Sequence, residues 1–129
     1  MKNMKKHEKL KSVAGVLLIV SAITHVVQIF VVGFEWHDIG AAFYGSTYGI
    51  LGILLIIVSS QDVSTIMKKV ITLGGIIWPL IGGILGLNRL INIELKIHGE
   101  INWFIIFHVI IDSIVIPICI YSLLKLRRS

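Results

Sequence analysis

Four long apolar segments constrain the fold of this chain more than any other feature of its sequence. They cover residues 13–32, 39–58, 70–88 and 103–124, and each is close to the ~20 residues that an α-helix needs to cross a hydrocarbon core. Isoleucine-rich segments would suggest strands in water, but a lone strand in lipid leaves its backbone groups unpaired. The sequence therefore predicts four transmembrane helices.

The composition favours a single membrane domain. The chain has 129 residues, of which 56% are hydrophobic and only 15% are charged, and this is too apolar for a soluble domain of that size. The connection between the first two helices, residues 33–38, is short enough to force an antiparallel hairpin. We therefore predict an all-α fold, an antiparallel four-helix transmembrane bundle that forms one domain over residues 1–129.

Basic residues are distributed unequally between the two ends of the predicted helices. Ten of the 12 lysines and arginines lie on the side that holds both termini, and only Arg89 and Lys96 lie on the other side. Because cytoplasmic segments are enriched in Lys and Arg, both termini are predicted to be cytoplasmic. We expect the cytoplasmic membrane of a prokaryote. The lipid bilayer is then the predicted partner, and the net charge of +5 requires no nucleic acid.

Polar side chains gather in the outer half of the predicted bundle, away from the termini. Counted at ~1.5 Å per residue from the outer helix ends, they lie roughly 7 to 14 Å deep. The first helix carries one polar face at Ser21, Thr24, His25 and Gln28, because residues three and four apart are neighbours on a helix. The predicted site residues, drawn from all four helices, are His25, Gln28, Tyr44, Tyr48, Arg89, His108 and Asp112.

Asp112 is the most costly of these groups to place in lipid. A charged side chain at the centre of a spanning helix costs at least ~2.5 kcal/mol on insertion scales, so this carboxylate should face the bundle interior. His108 lies one turn away on the same helix. We predict that this pair forms a hydrogen-bonded cluster with at least one of His25, Tyr44 or Arg89.

The polar cluster is compatible with several functions. His25 and His108 could be the axial ligands of a haem or the ligands of another metal, held by a carboxylate behind one ring. Asp112 and the histidines could relay protons in an ion-coupled carrier. Alternatively, the tyrosines, Gln28 and the histidines could bind a small lipid-soluble molecule such as a quinone in a pocket open to the outer leaflet.

The sequence by itself favours a role without chemistry. No motif for hydrolysis, nucleotide binding or group transfer is present, so the case for an enzyme rests only on the buried ionisable cluster. Polar groups that only satisfy one another would hold the bundle together. The favoured interpretation is therefore a structural or accessory subunit of a larger membrane complex.

Stripes of small residues predict close helix packing. Gly45 and Gly49 lie on one face of the second helix, and Gly82 and Gly86 on one face of the third. Such stripes let two helix backbones approach closely. We expect the second helix to pack on the third within one chain, with a homodimer through Gly45/Gly49 or Gly82/Gly86 as the alternative.

Three smaller features complete the sequence-based predictions. Within the outer loop at residues 89–102, residues 91–98 alternate between apolar and polar, and this predicts an extended or short helical segment at the outer surface. Trp78, beside Pro79, could close the floor of an outer cavity or simply pack in the core. Cys119 is the only cysteine in the chain, so no disulfide within the chain is expected.

Overall fold

Helices account for nearly all of the structure, a computed structural model that describes residues 5–32 and 36–127, without the side chains of residues 32, 36–38 and 98. Four α-helices are present in that part of the chain: α1 (Lys6–Val32), α2 (Trp36–Ser60), α3 (Thr65–Arg89) and α4 (Trp103–Arg127). Each is long and apolar enough to cross a membrane, which confirms the prediction of four membrane-length helices. Of the predicted connection over residues 33–38, residues 33–35 lie outside the described part.

α1 and α3 begin five or more residues before their apolar segments. α3 begins at Thr65, where the side chain of Ser64 accepts a hydrogen bond from the backbone N–H of Met67 at 3.2 Å and so satisfies one of the free donors of the first turn. α1 begins at Lys6, seven residues before its apolar segment. The charged start of α1 is therefore part of the bundle.

The segment predicted as an outer loop continues α3 as a π-helix over Leu90–His98. The helix ends at Gly99, whose φ of 69° lies in the left-handed region that favours glycine. Arg89 and Glu94 form an ion pair across five residues, with Nη2 and Oε1 3.2 Å apart. The backbone hydrogen bonds of a π-helix also join residues that are five apart in the sequence. Of the two predicted alternatives, the helical one is observed.

α2 uses its small residues to pack against α1. A Cβ atom added to Gly15 of α1 would lie only 2.6 Å from the carbonyl oxygen of Gly52, and one added to Gly49 would meet Ala22 at 3.3 Å. A Cβ on Gly45 would overlap the ring of His25. The expectation that this stripe packs on the third helix is therefore wrong, because α1 packs on the face of α2 that carries the glycines.

The small residues of α3 face two other helices. A Cβ atom on Gly82 would overlap the hydroxyl of Tyr48 in α2, whereas one on Gly75 would lie 2.6 Å from the sulfur of Cys119 in α4. Between the ends of the bundle lies an apolar core that includes Leu18, Leu55 and Val115, all fully buried. An apolar layer therefore separates the polar groups at one end of the bundle from those at the other end.

Candidate ligand cavity

A cavity of about 230 Å³ lies among all four helices, and it is lined by every residue of the sequence-predicted site. Those seven residues are His25, Gln28, Tyr44, Tyr48, Arg89, His108 and Asp112. The remaining wall is small or apolar and consists of Gly40, Ala41, Gly82, Leu85, Gly86, Ile105 and Val109. The structure thus brings the predicted residues together around one space.

The two histidines of the cavity are stacked. The rings of His25 and His108 lie 3.5 Å apart between centroids, with 10° between their planes. The edge of the Tyr48 ring approaches His25 with a centroid distance of 5.9 Å. Because the histidines come from α1 and α4, the stack joins the first and last helices along one wall of the cavity.

The bond to the Ser21 carbonyl determines which nitrogen of His25 carries the proton. Nδ1 of His25 lies 2.7 Å from that oxygen, which can only accept, so Nδ1 is the donor and Nε2 of the neutral ring is left as an acceptor. The Thr24 hydroxyl lies 2.9 Å from the same carbonyl. It also forms a hydrogen bond with Nε2 of His108 at 2.6 Å, which holds the second ring in place.

Asp112 has a hydrogen-bond partner for only one of its two oxygens. The residue is 4% exposed, and its carboxylate accepts a hydrogen bond from the hydroxyl of Tyr48, which is itself 1% exposed. The other oxygen, Oδ1, is buried and has no donor among the described residues. Unsatisfied buried acceptors are uncommon because they lose water without replacement. Oδ1 is therefore a free acceptor in a residue that lines the cavity.

Tyr44 and Trp78 form the wall between the cavity and the lipid-facing side of α2 and α3. Their rings are stacked, with centroids 4.7 Å apart. The Tyr44 hydroxyl donates to the carbonyl of Trp78 at 2.6 Å, and the indole N–H of Trp78 donates to the hydroxyl of Thr47 at 2.6 Å. Trp78 packs against the face of the Tyr44 ring and does not itself line the cavity.

Arg89 lies at the mouth of the cavity, beside the π-helix. Its side chain and that of Glu94 are each 10% exposed, and they are joined by two contacts, Nη2 at 3.2 Å and Nε at 3.3 Å from Oε1. Arg89 was predicted as a possible partner for the cluster of His108 and Asp112. The structure pairs it with Glu94.

The stacked arrangement does not suit a single metal ion bound by both histidines. The lone pair of an imidazole nitrogen lies in the ring plane, so a metal ion lies in the plane of the ring that binds it. Two nearly parallel planes 3.5 Å apart cannot both contain one ion. Among the residues that the structure describes, no group of three or more His, Cys, Asp or Glu side chains could hold a metal.

A second group of polar residues lies at the other end of the bundle, where the sequence predicted flanking positions in water. Lys11 is fully buried, and its Nζ has no hydrogen-bond partner among the described residues. Glu8 is 4% exposed and lies 3.8 Å from Lys68. His7 Nδ1 lies 3.2 Å from the hydroxyl of Ser122. Sequence reasoning missed this group because it assigned the lysines to the cytoplasmic surface.

The α1 sequence did contain a signal for those buried positions. Counting in alternate steps of four and three residues from His7 gives positions 11, 14, 18, 21, 25 and 28. All seven positions are buried except His25, which is half-buried. This is the spacing of a helix that packs along one continuous seam, and it extends from the cavity to Lys11 and His7.

Comparisons with protein-family models, with curated proteins and with solved structures found no match to this chain. Four apolar membrane-length helices indicate a small membrane protein. Its function must therefore be inferred from the cavity.

Proposed function

We propose that this protein binds a small lipid-soluble molecule with a hydroxyl-bearing ring, such as a quinol, in the cavity between its four helices. The observation that carries the proposal is that Asp112, a residue of the cavity lining, has one buried oxygen, Oδ1, without a hydrogen-bond donor among the described residues. A bundle built only for stability would gain by filling this space or by giving the oxygen a donor. The unfilled space and the unpaired acceptor favour ligand binding over a purely structural subunit.

The size of the cavity fits one ring. A cavity of about 150 Å³ in a protein core is known to hold benzene, so about 230 Å³ has room for a ring with several substituents. The walls include the aromatic rings of His25, His108, Tyr44 and Tyr48. Flat aromatic walls pack well against a flat aromatic ligand.

The hydrogen-bonding groups of the cavity favour a donor. Asp112 contributes one oxygen without a donor among the described residues, and the hydrogen bond from Nδ1 of His25 to the Ser21 carbonyl leaves Nε2 of the neutral ring as an acceptor. A quinol carries two O–H donors, whereas the corresponding quinone carries acceptors only. We therefore propose that the reduced, hydroxyl-bearing form is the preferred ligand.

The proposal includes a membrane topology. The first two helices are antiparallel. This is supported by the close approach of Gly15 to Gly52 and of His25 to Gly45. The full bundle is antiparallel with both termini in the cytoplasm, as the unequal distribution of Lys and Arg favours. The cavity then lies in the outer half of the membrane.

The experiment that tests the proposal compares the two redox forms of one ligand. Purified protein in phosphatidylcholine nanodiscs is titrated under anaerobic conditions with a tail-less benzoquinol and with its quinone. We expect the quinol to bind at least about tenfold more tightly, a difference of about 1.4 kcal/mol. Equal affinities, a preference for the quinone, or no saturable binding of either form would contradict the proposal.

A further inference from the structure

The exposed part of the cavity lining lies on α2 and α3. Among the described residues that line the cavity, only Gly40 of α2 and Leu85 of α3 are exposed, and all others are half-buried or buried. On the α1 and α4 side, the stacked histidines and Thr24 close the wall. A molecule dissolved in the membrane would therefore reach the cavity through the seam between α2 and α3.

The same seam carries an apolar groove below the opening. The groove has a volume of about 250 Å³, and its lining is Thr47, Ile50, Leu51, Leu54, Gly74 and Trp78. Only one pair of stacked rings separates it from the cavity, because Tyr44 lines the cavity and Trp78 lines the groove. Cavity and groove are therefore adjacent sites on one helix pair.

The bare backbone of Gly74 gives the groove its depth. A Cβ atom at this position would meet only the end of the Leu51 side chain, at 3.4 Å. Gly40, at the opening, and Leu54, at the far end of the groove, are separated by 14 residues of α2, or roughly 20 Å along the helix axis.

We propose that the ligand carries a long apolar tail, isoprenoid or acyl, that leaves the cavity between Gly40 and Leu85 and lies in this groove. The inference rests on the proposed function and identifies the ligand as a tailed ring. In the proposed topology the groove runs from the outer half towards the middle of the bilayer, which is the direction that lipid tails take. The tail would thus remain parallel to its lipid neighbours while the ring occupies the cavity.

A second apolar groove, between α1 and α4, offers an alternative place for the tail. It is lined by Thr24, Trp103, Phe104, Ile106, Phe107 and Ile110. Buried His108 lies between it and the cavity, with Nε2 bonded to Thr24. A tail could reach that groove only if this hydrogen bond and the histidine stack were broken. The seam between α2 and α3 requires no such change.

Photolabelling tests the path of the tail. The probe is a benzoquinol with a sixteen-carbon tail that ends in a diazirine, bound to the full chain in phosphatidylcholine nanodiscs, irradiated, and mapped by peptide mass spectrometry. Labelling that excess tail-less quinol displaces marks the specific site. We expect most of this displaceable label on residues 50–54 and 74–78. Displaceable label on residues 103–110, or spread evenly over all four helices, would overturn the inference.

A matched pair of variants distinguishes binding of the tail from binding of the ring. Gly74→Leu fills the groove, and we expect it to reduce the displaceable label at residues 50–54 at least fivefold while the affinity for tail-less quinol stays unchanged. Val70→Leu enlarges an exposed side chain of the same helix and should change neither. If tail-less quinol binds but Gly74→Leu leaves the label in place, only the tail inference fails. If tail-less quinol does not bind, the proposed function fails and the tail inference falls with it.

Discussion

His25 and His108 lie face to face, with ring centroids 3.5 Å apart and planes within 10° of each other. One ring belongs to α1 and the other to α4, so the contact links the two ends of the chain at the level of the cavity. Bonds to the Ser21 carbonyl and the Thr24 hydroxyl hold the two rings in place. The histidines therefore form a rigid wall, in which Nε2 of the neutral His25 ring is an acceptor.

This stack predicts that the purified protein has no haem absorbance. Two axial ligands must point their nitrogens at one iron from opposite sides, whereas stacked rings direct theirs within parallel planes. The measurement is a visible spectrum of the protein purified from a haem-replete host. A Soret band that disappears in both His25→Ala and His108→Ala would contradict the arrangement and make the protein a haem carrier.

Glycine at position 82 is predicted to be essential for the position of Tyr48. An added methyl group would overlap the Tyr48 hydroxyl, which bonds to Asp112, and overpacking of this kind costs about 1–3 kcal/mol. We expect Gly82→Ala to lower the free energy of unfolding by that amount in detergent and to weaken quinol binding.

Gly40→Ala is the control for that variant. Gly40 also lines the cavity, but an added Cβ atom there meets nothing within 4 Å. The change should be neutral or stabilising, by up to about 1 kcal/mol, because alanine favours helix. Equal melting temperatures for the two variants would show that Tyr48 does not need the space at Gly82.

Lys11→Met is predicted to stabilise the protein. The ammonium of Lys11 is fully buried and has no hydrogen-bond partner among the described residues, and Glu8 retains Lys68 as its ion-pair partner. Replacing buried charges with apolar side chains of similar volume often stabilises a protein by about 1–4 kcal/mol. The measurement is the thermal unfolding midpoint, with Lys9→Met as the control at an exposed position of the same helix. A lower midpoint for Lys11→Met would mean that the ammonium is stabilised in the folded state.

Reporter fusions test the proposed topology. Fusions after residue 64 and at the C-terminus should report a cytoplasmic location, whereas a fusion after residue 96, in the π-helix, should report the opposite side. The reason is the basic residues, ten of which lie on the side of the termini. A non-cytoplasmic signal at the C-terminus would place the cavity in the other half of the membrane.

The polar residues of the cavity could be predicted from the sequence because polar side chains are rare in membrane-spanning segments. Each polar group within an apolar segment has to face the bundle interior, and one-turn spacing brings His25 together with Gln28, and His108 together with Asp112. Counting residues from the helix ends then gave similar depths for all of them. These two constraints were sufficient to select the residues that share the cavity.

The interactions within the cavity could not be predicted in the same way. The depth of a residue and the side of the helix on which it lies do not determine how each helix is rotated about its axis. The sequence therefore suggested His108 or Arg89 as a partner for Asp112, where the structure gives Tyr48. The buried start of α1 was missed because charge at a helix end is normally solvated. Its seam spacing, which includes His7 and Lys11, becomes informative only when α1 is known to begin at Lys6.

The most direct test of the account is the quinol affinity of Asp112→Asn. The amide oxygen can accept the Tyr48 hydrogen bond, so the NH₂ group takes the position of Oδ1 and turns a free acceptor into a donor. We predict that quinol affinity falls about tenfold or more, since hydrogen bonds to charged groups contribute roughly 1.5–3 kcal/mol. The quinone should gain affinity, and the unfolding midpoint should stay unchanged or rise. Asp62→Asn, at an exposed position between α2 and α3, should leave all three values unchanged. Wild-type quinol affinity in a folded Asp112→Asn protein would contradict the account and reduce Asp112 to a structural residue.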